Sequence, residues 1–400
     1  MVDEPAHYRW SSYRSNALGQ ADALLTPHTL YLSLNAQQDQ REASYRSLFA
    51  SEIALLTLHD HSAIALRFIA ATALNTIHAF SYESKLMSHE PRVLICGSMA
   101  FDTICVFQGK FGDHIVPEAT HKISVSFMVD QMRREFGGCA GNVAYSLKLI
   151  GGAPVICATI GNDAAGYRDR MQALGVGLDA LKTVPDSFTA QAYIMTDLDD
   201  NQITSFHAGA MFQSQLNDVT AIDKIALGIV SPDGRDGMFR HARGFAARQI
   251  PFIFDPGQAM PAFSGDEIIE LIGLADYLTV NDYEAEMIAQ KTGRAIESFA
   301  PDLKALIVTL GASGSRIYAQ GKVIDVPVVA ASALVDPTGC GDAFRAGLLY
   351  GISHAWSVEK ACKLGSLLGS IKISERGGQN HSFTEAAIRE RFAAVWGEAW

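Results

Sequence analysis

The 400-residue sequence is sparing with charge, and what it carries is tilted acidic: 19% of residues are charged and the formal net charge is −11. A surface of that sign does not track the backbone of a nucleic acid or an anionic membrane, so neither is expected as a partner. There is no C-x-x-C pair among the six cysteines at 96, 105, 139, 157, 340 and 362. They read as reduced thiols rather than a disulfide frame. The opening residues lack a charged n-region followed by an apolar core, so a cytoplasmic protein without a secretory leader is expected. Long apolar runs are scarce as well. Residues 62–80 are apolar over 19 positions but are interrupted by Arg67, Asn75 and His78. Such residues are costly in lipid, so a packed helix is expected there rather than a membrane span. G-x-G-x-x-G is also missing after the first buried strand, where Gly97-Ser-Met-Ala-Phe-Asp102 stands instead. That argues against a nicotinamide dehydrogenase. What remains, 48% hydrophobic residues with 34 glycines, is ordinary globular composition with ample length for a large core.

The stretch around which the rest is organised is Asp336-Pro-Thr-Gly-Cys-Gly-Asp342, followed at once by AFRAGLLYGI. It reads as a strand end, a glycine turn and the first turns of a buried helix. Gly339 and Gly341 let the backbone turn tightly and let a ligand approach. A helix starting near residues 340–342 points its free N–H groups and the positive end of its dipole out of the turn, making an anion site. Asp342 lies in that turn. An anion cradle at Gly339, Cys340 and Gly341 with a carboxylate beside it suits phosphoryl transfer. The cradle would stabilise charge on the moving group, and Asp342 would take the proton of an attacking hydroxyl.

Along the chain, residues 92–97 read as a buried parallel strand. Asp102 follows within reach of its carboxyl end, where ligands of doubly wound sheets sit. Residues 103–107 and 122–129 alternate apolar and polar, as half-exposed strands do. Phe136-Gly-Gly-Cys-Ala-Gly-Asn142 is a second glycine turn leading into a helix. Strands at 154–161, 226–231, 251–255, 277–280 and 305–310 alternate with helices at 164–174, 235–248 and 266–272. This pattern predicts an α/β fold with a doubly wound, mostly parallel sheet. Residues 190–196 and 202–206 flank a polar hairpin loop. Asn281 reads as an N-cap, and residues 358–373 read as a packed, small-residue helix.

The two glycine turns, about 200 residues apart and in this order, resemble the N- and C-terminal signatures of the PfkB (ribokinase-like) family of carbohydrate and nucleoside kinases. The resemblance runs from residue 92 to about residue 392. It implies a ribokinase-like fold with a small β-sheet lid built near 103–136 and 189–207. It implies ATP as phosphoryl donor and Mg²⁺ as its companion, with K⁺ as a further cation. In those terms Asp102, Gly138 and Asn142 hold the acceptor. Asn281, Thr309, Gly311 and Gly314 face the nucleotide. Glu284 positions Mg²⁺ through water, and Asp336, with the loop at 377–380, borders a monovalent-cation site. RREFGGCAGNVAYSLKL, FIFDPGQAM and DPTGCGDAFRAG are similar to a bacterial branch taken to be adenosine kinases. Phosphorylation of adenosine is therefore expected, with a ribokinase- or fructokinase-type sugar kinase as the alternative. The resemblance leaves a homodimer open.

The front of the chain is different. From residue 6 to about 49 it resembles the C-terminal part of REP-associated (IS200-like) tyrosine transposases, yet the H-U-H metal pair of those enzymes is missing, since His59-Asp60-His61 has Asp in the middle. Residues 1–86 hold 6 Lys and Arg against 8 Asp and Glu, a poor balance for DNA. They are expected to be a non-catalytic extension, with residues 87–400 the kinase domain and a DNA-processing role disfavoured.

Overall fold

A computed structural model describes residues 37–40, 42–43, 90–114, 125–199 and 201–400. Contacts along the chain divide it into Met1–His89 and Glu90–Trp400. The apolar run at 62–80 lies outside the described residues, as does the transposase-like stretch apart from residues 37–40 and 42–43. Among the described residues, no helix is long and apolar enough to cross a membrane.

From Glu90 on, the elements run β1 Arg92–Cys96, β2 Ala100–Phe107, β3 Val129–Gly137, α1 Cys139–Leu149, β4 Ala153–Ile160, α2 Ala165–Ala173 and β5 Gly177–Thr183. Then come β6 Ala190–Thr196, β7 Gln202–His207, β8 Ile225–Val230, α3 Arg235–Ala247, β9 Phe252–Phe254, α4 Gly265–Leu274, β10 Tyr277–Asn281 and α5 Asp282–Thr292. The chain closes with β11 Ala305–Thr309, β12 Ser315–Ala319, β13 Lys322–Val326, α6 Cys340–Ser353, α7 Val358–Lys372 and α8 Glu385–Trp396.

Nine strands form one sheet in the order β13-β12-β11-β10-β9-β8-β1-β4-β5. It is parallel from β11 through β5, and only β12 breaks the direction, pairing antiparallel with both β11 and β13. The central strands are buried on both faces, so they read as continuous apolar runs. Along β1, Val93 and Ile95 face one core and Leu94 and Cys96 the other. The first core packs under α1, α6 and α7; the second under α3, α4 and α5. Strand order reverses beside β1, with β4 on one side and β8 on the other. That puts the ligand crevice beyond the carboxyl ends of these strands. Helices α6 and α7 approach closely: a Cβ on Gly347 would lie 2.5 Å from the Gly365 nitrogen.

A second, four-stranded sheet has the order β3-β2-β6-β7. The hairpin expected around the polar loop is there as β6 and β7. Of the strand expected at 122–129, residues 122–124 lie outside the described residues and residues 125–128 are irregular; the strand found here runs Val129–Gly137 and pairs Asp102 with Glu135. Backbone pairing with β2 outweighed the alternating pattern, which β3 does not keep. Four elements went unread in the sequence. Strand β5 is a polar edge, GLDALKT. The β12–β13 hairpin turns on Gln320 and Gly321, both at positive φ, the backbone a two-residue hairpin needs. Helix α8 is capped by the Thr384 side chain and closed by left-handed Gly397.

Candidate active site

Two glycine turns from opposite ends of the domain meet. Helix α6 starts at Cys340, as expected, behind Gly339 in the left-handed conformation at φ +77. The Cys340 N–H donates to Pro337 O (3.1 Å) and the Ala343 N–H to Gly339 O (2.9 Å). The turn therefore uses up the Cys340 amide, and the open helix start offers those of Gly341 and Asp342. Helix α1 starts behind Gly138, whose φ is +86. A Cβ on Gly138 would lie 2.6 Å from both Ala100 N and Ser98 O, so the glycine is required by the chain itself.

Asn142, in the first turn of α1, donates from Nδ2 to Asp342 Oδ2 (2.8 Å) across 200 residues of sequence. Its Oδ1 accepts from Gln379 Nε2 (3.1 Å). Gln379 also reaches the Tyr167 hydroxyl, which donates to Gly137 O (2.8 Å). The Asp342 carboxyl is pushed up to about 6, first by burial, while the Asn142 bond and then Arg345 hold it down. Asp102 is likewise pushed up to about 6, by burial and then by Asp336 and Glu135. A Cβ on Gly137 would lie 2.5 Å from Asp102 Oδ2; the bare glycine leaves that carboxylate its place.

The residues expected to face the nucleotide also converge. Strands β10 and β11 pair Asn281 with Thr309 at their carboxyl ends. Asn281 Oδ1 accepts from Glu284 N (2.7 Å), and Glu284 Oε2 accepts from Asn281 N (2.8 Å), so the N-cap reading of Asn281 is realised as a capping box. Thr309 Oγ1 donates to Val280 O (3.3 Å). Gly311 and Gly314 take φ of +55 and +90, and a Cβ on Gly314 would lie 2.2 Å from Val326 O. Glu284 is half-buried, and burial, then Asp255, raises its carboxyl.

Between the two clusters sits an ion pair the sequence reading passed over. Arg345 donates from Nε and Nη2 to Asp255 (2.9 and 2.8 Å), and both side chains are buried. Asp255 lies at the carboxyl end of β9, so the rule that drew attention to Asp102 would have found it too. Arg345 stood in view inside AFRAG. Tyr167 and Gln379 gave no local signal, since their role exists only once α2 and the loop after α7 are side by side. On the last side of the site, Asp336 Oδ1 accepts from Thr338 N and Oδ2 from Gly377 N, each at 2.8 Å. Asn380, in the same loop as Gly377, donates to Glu135 Oε2 in β3 (2.8 Å).

Residues 103–385 match the model of the pfkB family carbohydrate kinases. A nucleoside kinase of Methanocaldococcus jannaschii is 30% identical over 271 residues, 67% of this chain and 89% of its own. A fructokinase of Escherichia coli is 26% identical over 272 residues, 60% of this chain and 86% of its own. A Burkholderia thailandensis nucleoside kinase, solved in complex with inosine, superposes with a TM-score of 0.70 at 47% identity, covering 77% of this chain and 99% of that one. A helix start open to anions, a carboxylate held in it and the family match agree: the chain belongs to the pfkB family of carbohydrate kinases, phosphotransferases that act on hydroxyl groups.

Proposed function

We propose that the protein is an ATP-dependent nucleoside kinase that phosphorylates the 5′-hydroxyl of adenosine. The observation that carries the kinase chemistry is the Asn142–Asp342 bond at the open start of α6. It aims a carboxylate at the place where helix amides can receive the transferring phosphoryl group. With its carboxyl near 6, Asp342 is ionised at neutral pH yet basic enough to take the acceptor's proton. Asp102 and Asn142 hold the hydroxyls of the ribose, while Gly341 and Asp342 N–H groups receive the phosphoryl oxygens. Asn281, Thr309 and the Gly311–Gly314 turn face ATP.

Mg²⁺ asks for one or two carboxylates with waters and phosphate oxygens. Glu284 fits: the capping box takes its Oε2, leaving Oε1 to act through water. When bound, the ion neutralises charge on the phosphate oxygens.

The choice of a nucleoside over a free sugar rests on the nucleoside kinases among the relatives and on two lid-side aromatics. Four aromatics, Phe127, Phe136, Tyr193 and Phe212, lie in or next to the segments expected to form the lid; Phe136 packs on Tyr167 (4.7 Å between ring centroids) and Phe127 on Phe111 (4.9 Å). These two belong to packing. Tyr193 and Phe212 are 51% and 69% exposed and free to cover a purine. The inosine bound to the Burkholderia kinase makes inosine the competing purine, and the fructokinase relative keeps a sugar as the second reading. The test is kcat/KM for adenosine, inosine, ribose and fructose at fixed Mg-ATP. Adenosine is expected to exceed both sugars by at least tenfold; a sugar ahead by that factor would replace the nucleoside reading, and inosine ahead of adenosine would move the specificity to the other purine.

A further inference from the structure

Lys372, the last residue of α7, is fully buried. A buried ammonium is costly unless it is hydrogen-bonded to acceptors. Its Nζ donates to two backbone carbonyls, Asp336 O and Glu375 O, each at 2.9 Å. The Asp336 carboxylate is not its partner, since both oxygens accept from backbone amides instead. The ammonium thus ties the irregular segment leading into the anion-binding turn, where the sequence reading expected a strand end, to the loop that follows α7. Asp336 is four residues ahead of the start of α6 and caps Thr338 inside that turn. Val335 and Asp336 also donate to Ile373 O (2.9 and 3.1 Å), so the two segments are laced together again at the residue after Lys372.

A monovalent metal ion in such a place is held by backbone carbonyls that replace its water shell. Here two carbonyls beside Asp336 already receive an ammonium, and a metal ion among them would face a like charge at close quarters. His381 brings no second cation, because burial and then the Lys372 charge hold its imidazole down to about 4. The residues therefore do not fit K⁺. We propose that Lys372 is a built-in monovalent cation, a positioning residue that holds the Asp336–Asp342 turn, and that the protein works without K⁺. The turnover part of this inference rests on the kinase reading; the binding part does not.

The experiment compares KCl, NaCl and tetramethylammonium chloride at equal ionic strength, by thermal denaturation and by ADP release from Mg-ATP and adenosine. For the natural chain, the melting temperature and kcat are expected to agree within 1 °C and twofold, on the order of ordinary salt effects. Lys372→Ala opens a hole lined by the two carbonyls, and K⁺ or NH₄⁺ is then expected to raise its melting temperature selectively over tetramethylammonium and to recover turnover by about tenfold or more. Lys372→Met fills the hole without charge and is expected to show no such selectivity. K⁺ activation of the natural chain by fivefold or more overturns the proposal. So does a Lys372→Ala protein whose stability is indifferent to the cation. If Lys372→Ala does not fold, the natural chain alone decides, since K⁺ dependence there is incompatible with a resident ammonium. If adenosine is no acceptor, the melting temperatures still decide the cation question, and the two readings fail separately.

Discussion

Replacing Asp342 by Asn is expected to abolish turnover and at the same time stabilise the fold at neutral pH. The carboxyl rises from an ordinary 3.8 to about 6 in the folded protein, chiefly through burial. A group whose folded value is raised favours the protonated form, so its ionisation works against folding. The penalty is absent well below pH 4, grows between pH 4 and 6, and is complete above pH 6. Its full size is about 3 kcal/mol at 1.36 kcal/mol per pKa unit, and water reaching the half-buried residue reduces this to about 1–3 kcal/mol. Asn offers an acceptor oxygen to Asn142 Nδ2 without the charge, so the bond between the two glycine turns survives. Urea unfolding at pH 8 should therefore show the variant more stable by about 1–3 kcal/mol, with roughly half that gain at pH 5. In ADP-release assays at pH 8, loss of the base should cost about 10²–10⁴ in kcat. The natural chain's kcat/KM should fall as pH drops through about 6, where Asp342 takes up its proton. A loss below threefold in kcat would remove Asp342 as the base. A variant less stable than the natural chain at pH 8 would show that burial does not govern this carboxylate.

Arg345→Met should destabilise the protein by about 3–5 kcal/mol in urea titrations, because it strands the buried Asp255 carboxylate. Adding Asp255→Leu should recover most of the loss; no recovery would mean that Arg345 acts through packing alone. A chain shortened to begin at Met87 should fold and retain its activity, since every residue assigned a part here lies beyond it and Glu90, which accepts from His354 Nε2 (2.9 Å), is kept. A fall of more than about 1–2 kcal/mol in stability, large on the scale of a typical domain, would show that the front segment contributes to the fold.

Local chemistry was enough to read the helix starts and the parallel strands from the sequence. A glycine at positive φ ahead of an apolar helix, or an apolar run closed by glycine, announces itself within ten residues. Gly138, Gly339, Asn281 and the carboxyl ends of β1, β10 and β11 were legible in that way. The polar edge strand β5, the β12–β13 hairpin and the start of β3 were not, since edge pairing leaves no apolar run to follow. The partners of the site were also out of reach. That Asn142 meets Asp342 rather than standing free, that Gln379 and Tyr167 brace it, and that Arg345 pairs with Asp255 depend on segments 90 to 237 residues apart being folded together. The clearest case is Lys372. In the sequence it is one charged residue at the end of an apolar helix, indistinguishable from a solvated C-terminal lysine. Tertiary packing buries its ammonium against two carbonyls beside Asp336, because the turn before α6 and the loop after α7 close over it from both sides.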